Sequence, residues 1–114
     1  MNEADHQDES EELEDVPLPS PSFDWLTVSL RAQAQMHLGL VHFGTEEQRP
    51  KPKLHLARHT IDLLVVLQEK TKGNLSLEEQ RLLENSITEL RFRYVQALEE
   101  SRKSEAHQSE SQQA

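Results

Sequence analysis

The chain has 114 residues, of which 34% are apolar and 29% charged, which allows one small soluble domain and excludes a second. It contains no cysteine, so disulfides and thiolate metal sites are excluded. The net charge of −9 belongs to the tails, because residues 1–22 hold eight acids and no Lys or Arg, whereas residues 23–98 hold nine acids and ten bases. This near-neutral centre lacks the clustered bases of a nucleic-acid surface, so we expect no nucleic acid partner.

The N-terminal segment, residues 1–22, combines these acids with Pro17, Pro19 and Pro21. It has too little apolar surface to offset the entropy of ordering, which predicts a disordered tail. It also lacks the basic start and apolar run of a secretory signal, and no later segment approaches the roughly 20 apolar residues that span a bilayer. We therefore expect a cytoplasmic protein with no membrane partner and no cofactor.

The first predicted helix covers residues 23–43, with Ser22 as its N-cap. At about 100° per residue it has two nearly opposite apolar faces. The first face consists of Phe23, Leu26, Leu30, Ala34, Leu38 and Val41, and the second of Trp25, Val28, Ala32, Met36, Gly39 and Phe43. In a lone three-helix module one face would lie open to water, so the pattern predicts a homodimer formed through the second face. The alternative is a monomer in which this helix lies between other helices.

Two further helices are predicted over residues 54–72 and 77–102, after a connection in which Pro50 and Pro52 prevent helix formation. Between them Gly73 is a helix stop signal, and Ser76 with Glu79 is a capping box that starts the next helix. The short connection predicts an antiparallel hairpin. The expected fold is all-α, a small three-helix domain over residues 23–100, followed by a disordered polar tail over residues 101–114.

The polar face of the second helix carries His55, His59 and Asp62. Two histidines four residues apart can bind one metal ion, so the alternative function is a small metal- or ligand-binding protein. The other interpretation is a solvated face on which Arg58 pairs with Asp62, because no HExxH motif and no fourth ligand are present. A third hypothesis is that the acidic tail folds back onto the basic side chains between Arg49 and Arg58 and masks them.

A family resemblance is carried by Ala57, Arg58, Ile61, Asp62, Leu64, Leu67, the block Lys70-Thr71-Lys72-Gly73-Asn74-Leu75, Glu79, Leu83, Leu90 and Arg91. With these residues, and with Leu26, Gln33, Ala34, Leu38 and Gly39 in the first segment, the chain resembles the bacterial family known as domain of unknown function 1844. The resemblance covers about residues 23–95 and leaves His55 and His59 outside the family pattern. It implies a small cytoplasmic helical protein and brings no activity or ligand. The sequence also lacks a catalytic motif, so we expect a non-enzymatic interaction or scaffold module, homodimeric through its first helix and open to a further protein partner.

Overall fold

The computed structural model describes residues 16–113 of the chain. Within this range the chain forms three α-helices, α1 (Phe23–His37), α2 (Leu54–Lys70) and α3 (Leu77–Gln113), together with one 3-10 turn at Glu46–Gln48, and no strand. Each helix packs against the other two. The predicted all-α fold with three helices is confirmed.

The hairpin between α2 and α3 has the local geometry that its residues predict. Gly73 has a φ of +87°, the left-handed conformation that follows a helix end. The Ser76 backbone N–H donates to Glu79 Oε1 at 2.8 Å, and the Glu79 backbone N–H donates to Ser76 Oγ at 3.2 Å. These two hydrogen bonds are those of a capping box. Helix α2 ends at Lys70 rather than at 72, a difference within the usual scatter of helix ends.

The core is built from apolar residues of all three helices: Ala34, Leu38, Ala57, Ile61, Leu64, Leu83, Ile87 and Leu90. One buried hydroxyl residue on each helix, Thr27, Thr60 and Ser86, lies among them. Each of these hydroxyls donates to the backbone carbonyl four residues earlier, at 2.7–3.1 Å. Because their donors are satisfied within their own helices, these residues can be buried without a polar partner from another helix.

Helix α1 ends at His37, so its predicted extension to residue 43 is wrong. Gly39, with a φ of +75°, donates its N–H to the Met36 carbonyl at 3.0 Å, and the Leu40 N–H donates to the Gln35 carbonyl at 3.0 Å. Together these bonds form a Schellman motif, the usual end of a helix at a left-handed glycine. The prediction places Gly39 inside the helix, whereas this glycine is the stop signal.

The connection from α1 to α2 folds back onto the end of α1. Arg49 Nε donates to the Gly39 carbonyl at 2.7 Å, and the Lys53 backbone N–H donates to the His37 carbonyl at 2.7 Å. At Gly39 an added Cβ would lie 2.8 Å from the Pro50 carbonyl oxygen. The connection is therefore held against the end of α1 by hydrogen bonds to the backbone carbonyls of His37 and Gly39.

Helix α3 runs to Gln113, which corrects the prediction of a disordered tail from residue 101. No Gly or Pro follows Leu77, and residues 99–113 contain four Glu and three Gln, which favour helix, beside four Ser. Adding residues to an existing helix costs far less than starting one, so the helix can continue into a segment that has almost no apolar residues. A segment can thus be too polar to fold alone and still be helical.

The predicted N-terminal tail lies mostly outside the described residues, which begin at Val16. Residues 16–22 have neither helix nor strand, and Val16 and Leu18 are exposed there. The acids that the masking hypothesis places over the basic connection also lie outside the described residues.

Candidate interaction surface

Helix α1 has one buried and one exposed apolar face. Ala34 and Leu38 belong to the core. On the opposite side of the helix Trp25 is 44% exposed and Met36 is 62% exposed. Within residues 16–113 the other elements leave both side chains exposed, which the alternative with α1 enclosed between other helices does not predict.

We define the outer face of α1 as the exposed side formed by Trp25, Val28, Ser29, Ala32 and Met36. Val28 is half-buried and the other four residues are exposed. The face is 15 residues long at most, because α1 ends at His37. It is therefore shorter than the sequence predicts.

Two of the six predicted interface residues lie elsewhere. Gly39 is buried beneath Pro50 in the Schellman turn and cannot contact a partner, which corrects its assignment to the interface. Phe43 lies in the connection after α1, where its side chain is fully exposed. Phe43 thus stays available for contact but is not part of the helix face.

Ser29 is the residue of the outer face that sequence reasoning missed, because a serine on a helix normally counts as polar surface. Its Oγ donates to the Trp25 carbonyl at 2.8 Å. The Trp25 backbone N–H in turn donates to Oγ of the N-cap Ser22 at 3.0 Å. Since the Ser29 hydroxyl already has an acceptor, burying it against another surface would leave no unsatisfied donor.

Charged side chains are absent from the outer face. The two charged residues of α1, Asp24 and Arg31, lie on its flank, between the outer face and the core, and Arg31 is half-buried there. Interface centres are depleted of charge in the same way. The outer face therefore combines exposed apolar area with little cost of removing charges from water.

The exposed large apolar side chains of the three helices and of the connection after α1 form groups of different size. Helix α1 and the connection after it carry five large ones, which are Trp25, Leu26, Met36, Val41 and Phe43. Helix α2 carries Leu63 and Val66 beside Asp62 and Glu69, and helix α3 carries Leu77, Phe92 and Val95, the last two beside Arg91 and Arg93. Helix α1 alone exposes three such side chains, as α3 does, but with its connection it exposes five, and its outer face is free of charged residues, so it is the best candidate for an interaction surface.

The candidate metal ligands His55, His59 and Asp62 are all exposed on α2. Over the part of the chain that the structure describes, no three His, Cys, Asp or Glu side chains come together around a common point for a metal ion. The structure thus does not assemble the trio that the spacing suggests. Among the described helices, none combines the length and the apolar character needed to cross a membrane.

The fold and this surface define a small three-helix domain whose first helix exposes an apolar side. A family model described as "Domain of unknown function (DUF1844)" matches residues 20–96. The chain therefore belongs to this family, and the predicted resemblance is confirmed. The match includes all of α1 and α2 but ends within α3, so the last turns of α3 lie beyond it. Neither the curated proteins nor the solved structures give a significant match.

Proposed function

We propose that the protein is a non-enzymatic helical interaction module that forms a homodimer through the outer face of α1. The exposure of Trp25 and Met36 on a side of the helix without charged residues carries the proposal. Aromatic and Met side chains are enriched at protein interfaces, whereas charged ones are depleted. A second copy is the partner that every molecule of this chain has available.

The exposed area is sufficient for a weak but specific dimer. With about 150–250 Å² for a large side chain, the outer face and Phe43 expose roughly 500 Å² per subunit. A two-fold interface would then bury about 1,000 Å², near the lower limit for specific interfaces. Interfaces of this size belong to weak and transient complexes, so we expect the dimer to dissociate on dilution.

The size of the domain supports the same proposal. A domain of fewer than about 80 residues rarely gains more than about 3–5 kcal/mol from its own core. Covering Trp25 and Met36 with a second copy would add apolar burial that one subunit lacks. Association would also make the apparent stability rise with the logarithm of the protein concentration.

Replacing Met36 with Asp should abolish the dimer. The substitution would place two carboxylates in the apolar interface, one from each subunit, and removing an unpaired charge from water costs several kcal/mol. We expect association at least about 100-fold weaker, because each 1.4 kcal/mol corresponds to a factor of ten. Light scattering coupled to gel filtration should give twice 13.2 kDa for the native chain and 13.2 kDa for Met36→Asp.

Phe92→Asp provides the matched control. Phe92 is 60% exposed on α3, almost the same as Met36 on α1, so both substitutions place a carboxylate at an exposed position. The control should remain dimeric, and circular dichroism should show native helix content in both variants. A native chain of 13.2 kDa at every concentration, or a Met36→Asp variant that stays dimeric, would contradict the proposal.

A further inference from the structure

The residues along the middle of the outer face follow the spacing of a coiled-coil seam. Trp25, Ser29, Ala32 and Met36 are separated by four, three and four residues, the alternation that keeps side chains on one line along a helix. On the opposite side of α1, Thr27 and Ala34 are fully buried in the subunit's own core. The seam therefore points directly away from that core, where a second helix can reach it.

The seam is narrow in the middle and bulky at both ends. Ser29 and Ala32 are small, and the Ser29 hydroxyl is already bonded to the Trp25 carbonyl. Small residues let two helix backbones approach closely, and Trp25 and Met36 supply the large apolar surface on either side. A second α1 that crosses this seam must accommodate a Trp at one end and a Met at the other.

We propose that two copies of α1 pair antiparallel, with the two-fold axis between Ser29 and Ala32, so that Trp25 of each subunit packs against the partner's Met36. This inference rests on the homodimer proposed above and specifies its geometry. The axis position follows from the seam, since Trp25 and Met36 lie at equal distances on either side of the midpoint between Ser29 and Ala32.

Side-chain volume favours the antiparallel over the parallel orientation. An antiparallel pair has one Trp and one Met at each end, so the two helix axes remain evenly spaced. A parallel pair has two Trp side chains at one end and two Met side chains at the other, which would splay the helices. Met sulfur also makes favourable contacts with aromatic rings, and the helix dipoles are opposed in the antiparallel pair.

The ends of the seam lead to the two most exposed large apolar side chains of the described residues. Leu18 is 80% exposed before α1, and Phe43 is fully exposed after it. Antiparallel pairing brings the segment before one α1 beside the connection that follows the partner's α1. Leu18 and the partner's Phe43 then lie at the same end of the pair, where each can cover apolar surface that a single subunit leaves open.

The composition of the chain makes this geometry directly measurable by NMR. It contains one Trp and two Met, Met1 and Met36, so few signals need assignment. Within one subunit, Trp25 and Met36 are eleven residues apart, or about 16 Å along the helix axis, which is beyond the reach of a nuclear Overhauser effect. Any such effect between the Trp25 indole and the Met36 methyl must therefore pass between subunits.

The experiment mixes the full chain carrying ¹³C-methyl Met with an equal amount of unlabelled chain and records a filtered spectrum at a concentration where light scattering shows the dimer. We expect a cross-peak between the Met36 methyl and the Trp25 indole, and its loss in Met36→Leu while the dimer mass is retained. A dimer without this cross-peak would overturn the antiparallel register but leave the homodimer standing. A chain that is monomeric at all concentrations would overturn both.

Discussion

Replacing Leu83 with alanine should lower the free energy of unfolding by about 2–5 kcal/mol. Leu83 is completely buried, and with Leu64 and Leu90 it is one of the largest fully buried side chains of the core. The substitution removes apolar contacts and leaves a cavity between three helices that can collapse only partly. Because a domain of this size gains only about 3–5 kcal/mol from its core, a large fraction of the variant should be unfolded at room temperature.

Leu77→Ala is the control for this prediction, because it makes the same chemical change on the same helix. Leu77 is 61% exposed, so its replacement should change the stability by less than about 0.5 kcal/mol. Urea unfolding followed by circular dichroism compares the two variants at one fixed protein concentration, since association contributes to the apparent stability. Equal midpoints for Leu83→Ala and Leu77→Ala would contradict the packing of α3 against α1 and α2.

Replacing Gly39 with alanine should have the second largest effect and lower the free energy of unfolding by roughly 2–4 kcal/mol. The left-handed backbone at Gly39 costs a residue with a Cβ about 1–2 kcal/mol. The new Cβ would also lie 2.8 Å from the Pro50 carbonyl oxygen, so the connection would have to move away from α1. We expect the hydrogen bond from Arg49 to the Gly39 carbonyl to weaken with it.

Gly73→Ala separates the two causes. Gly73 also has a left-handed backbone, with a φ of +87°, but a Cβ there would have no atom within 4 Å. In Gly73→Ala the free energy of unfolding should therefore fall only by the backbone contribution, about 1–2 kcal/mol. Thermal unfolding should place Gly39→Ala below Gly73→Ala by several degrees, at roughly 4–8 °C per kcal/mol for a domain of this size. Equal melting temperatures would show that the close contact with Pro50 costs nothing.

The parts of the fold that sequence predicted best are those set by local chemistry. Ser22 caps α1, and Ser76 with Glu79 caps α3, through hydrogen bonds that involve residues only three positions apart. Apolar periodicity identified the buried side of α1, where Ala34 and Leu38 lie in the core. Such features can be predicted because they depend on the order of the residues and not on distant contacts.

The end of α1 was predicted wrongly because one residue, Gly39, fits two different local patterns. Gly39 fits the apolar pattern of a longer helix, whereas in the structure it forms a left-handed Schellman turn against which Pro50 packs closely. Thr27 and Thr60 were missed in the core for a related reason. Their burial depends on hydroxyl groups that bond to their own helix, which a pattern of apolar residues does not register.

The candidate surface was predicted in part. The two-sided pattern of α1 identified Trp25, Val28, Ala32 and Met36 as a second apolar face, and the exposure of Trp25 and Met36 agrees with it. Ser29 was not counted, because its hydroxyl is satisfied only in the helical geometry. The metal interpretation relied on the spacing of two histidines alone, and spacing places side chains on one side of a helix without bringing a third ligand to them.

The most direct test of the outer face as a self-association surface is the fluorescence of Trp25 over a dilution series. Trp25 is the only tryptophan of the chain, so its emission reports on this one position. We predict that the emission maximum shifts to longer wavelength on dilution, together with the change of molar mass from dimer to monomer. The Met36→Asp variant should emit at the longer wavelength at every concentration. An emission maximum that stays constant while the molar mass changes would show that the subunits associate through another surface.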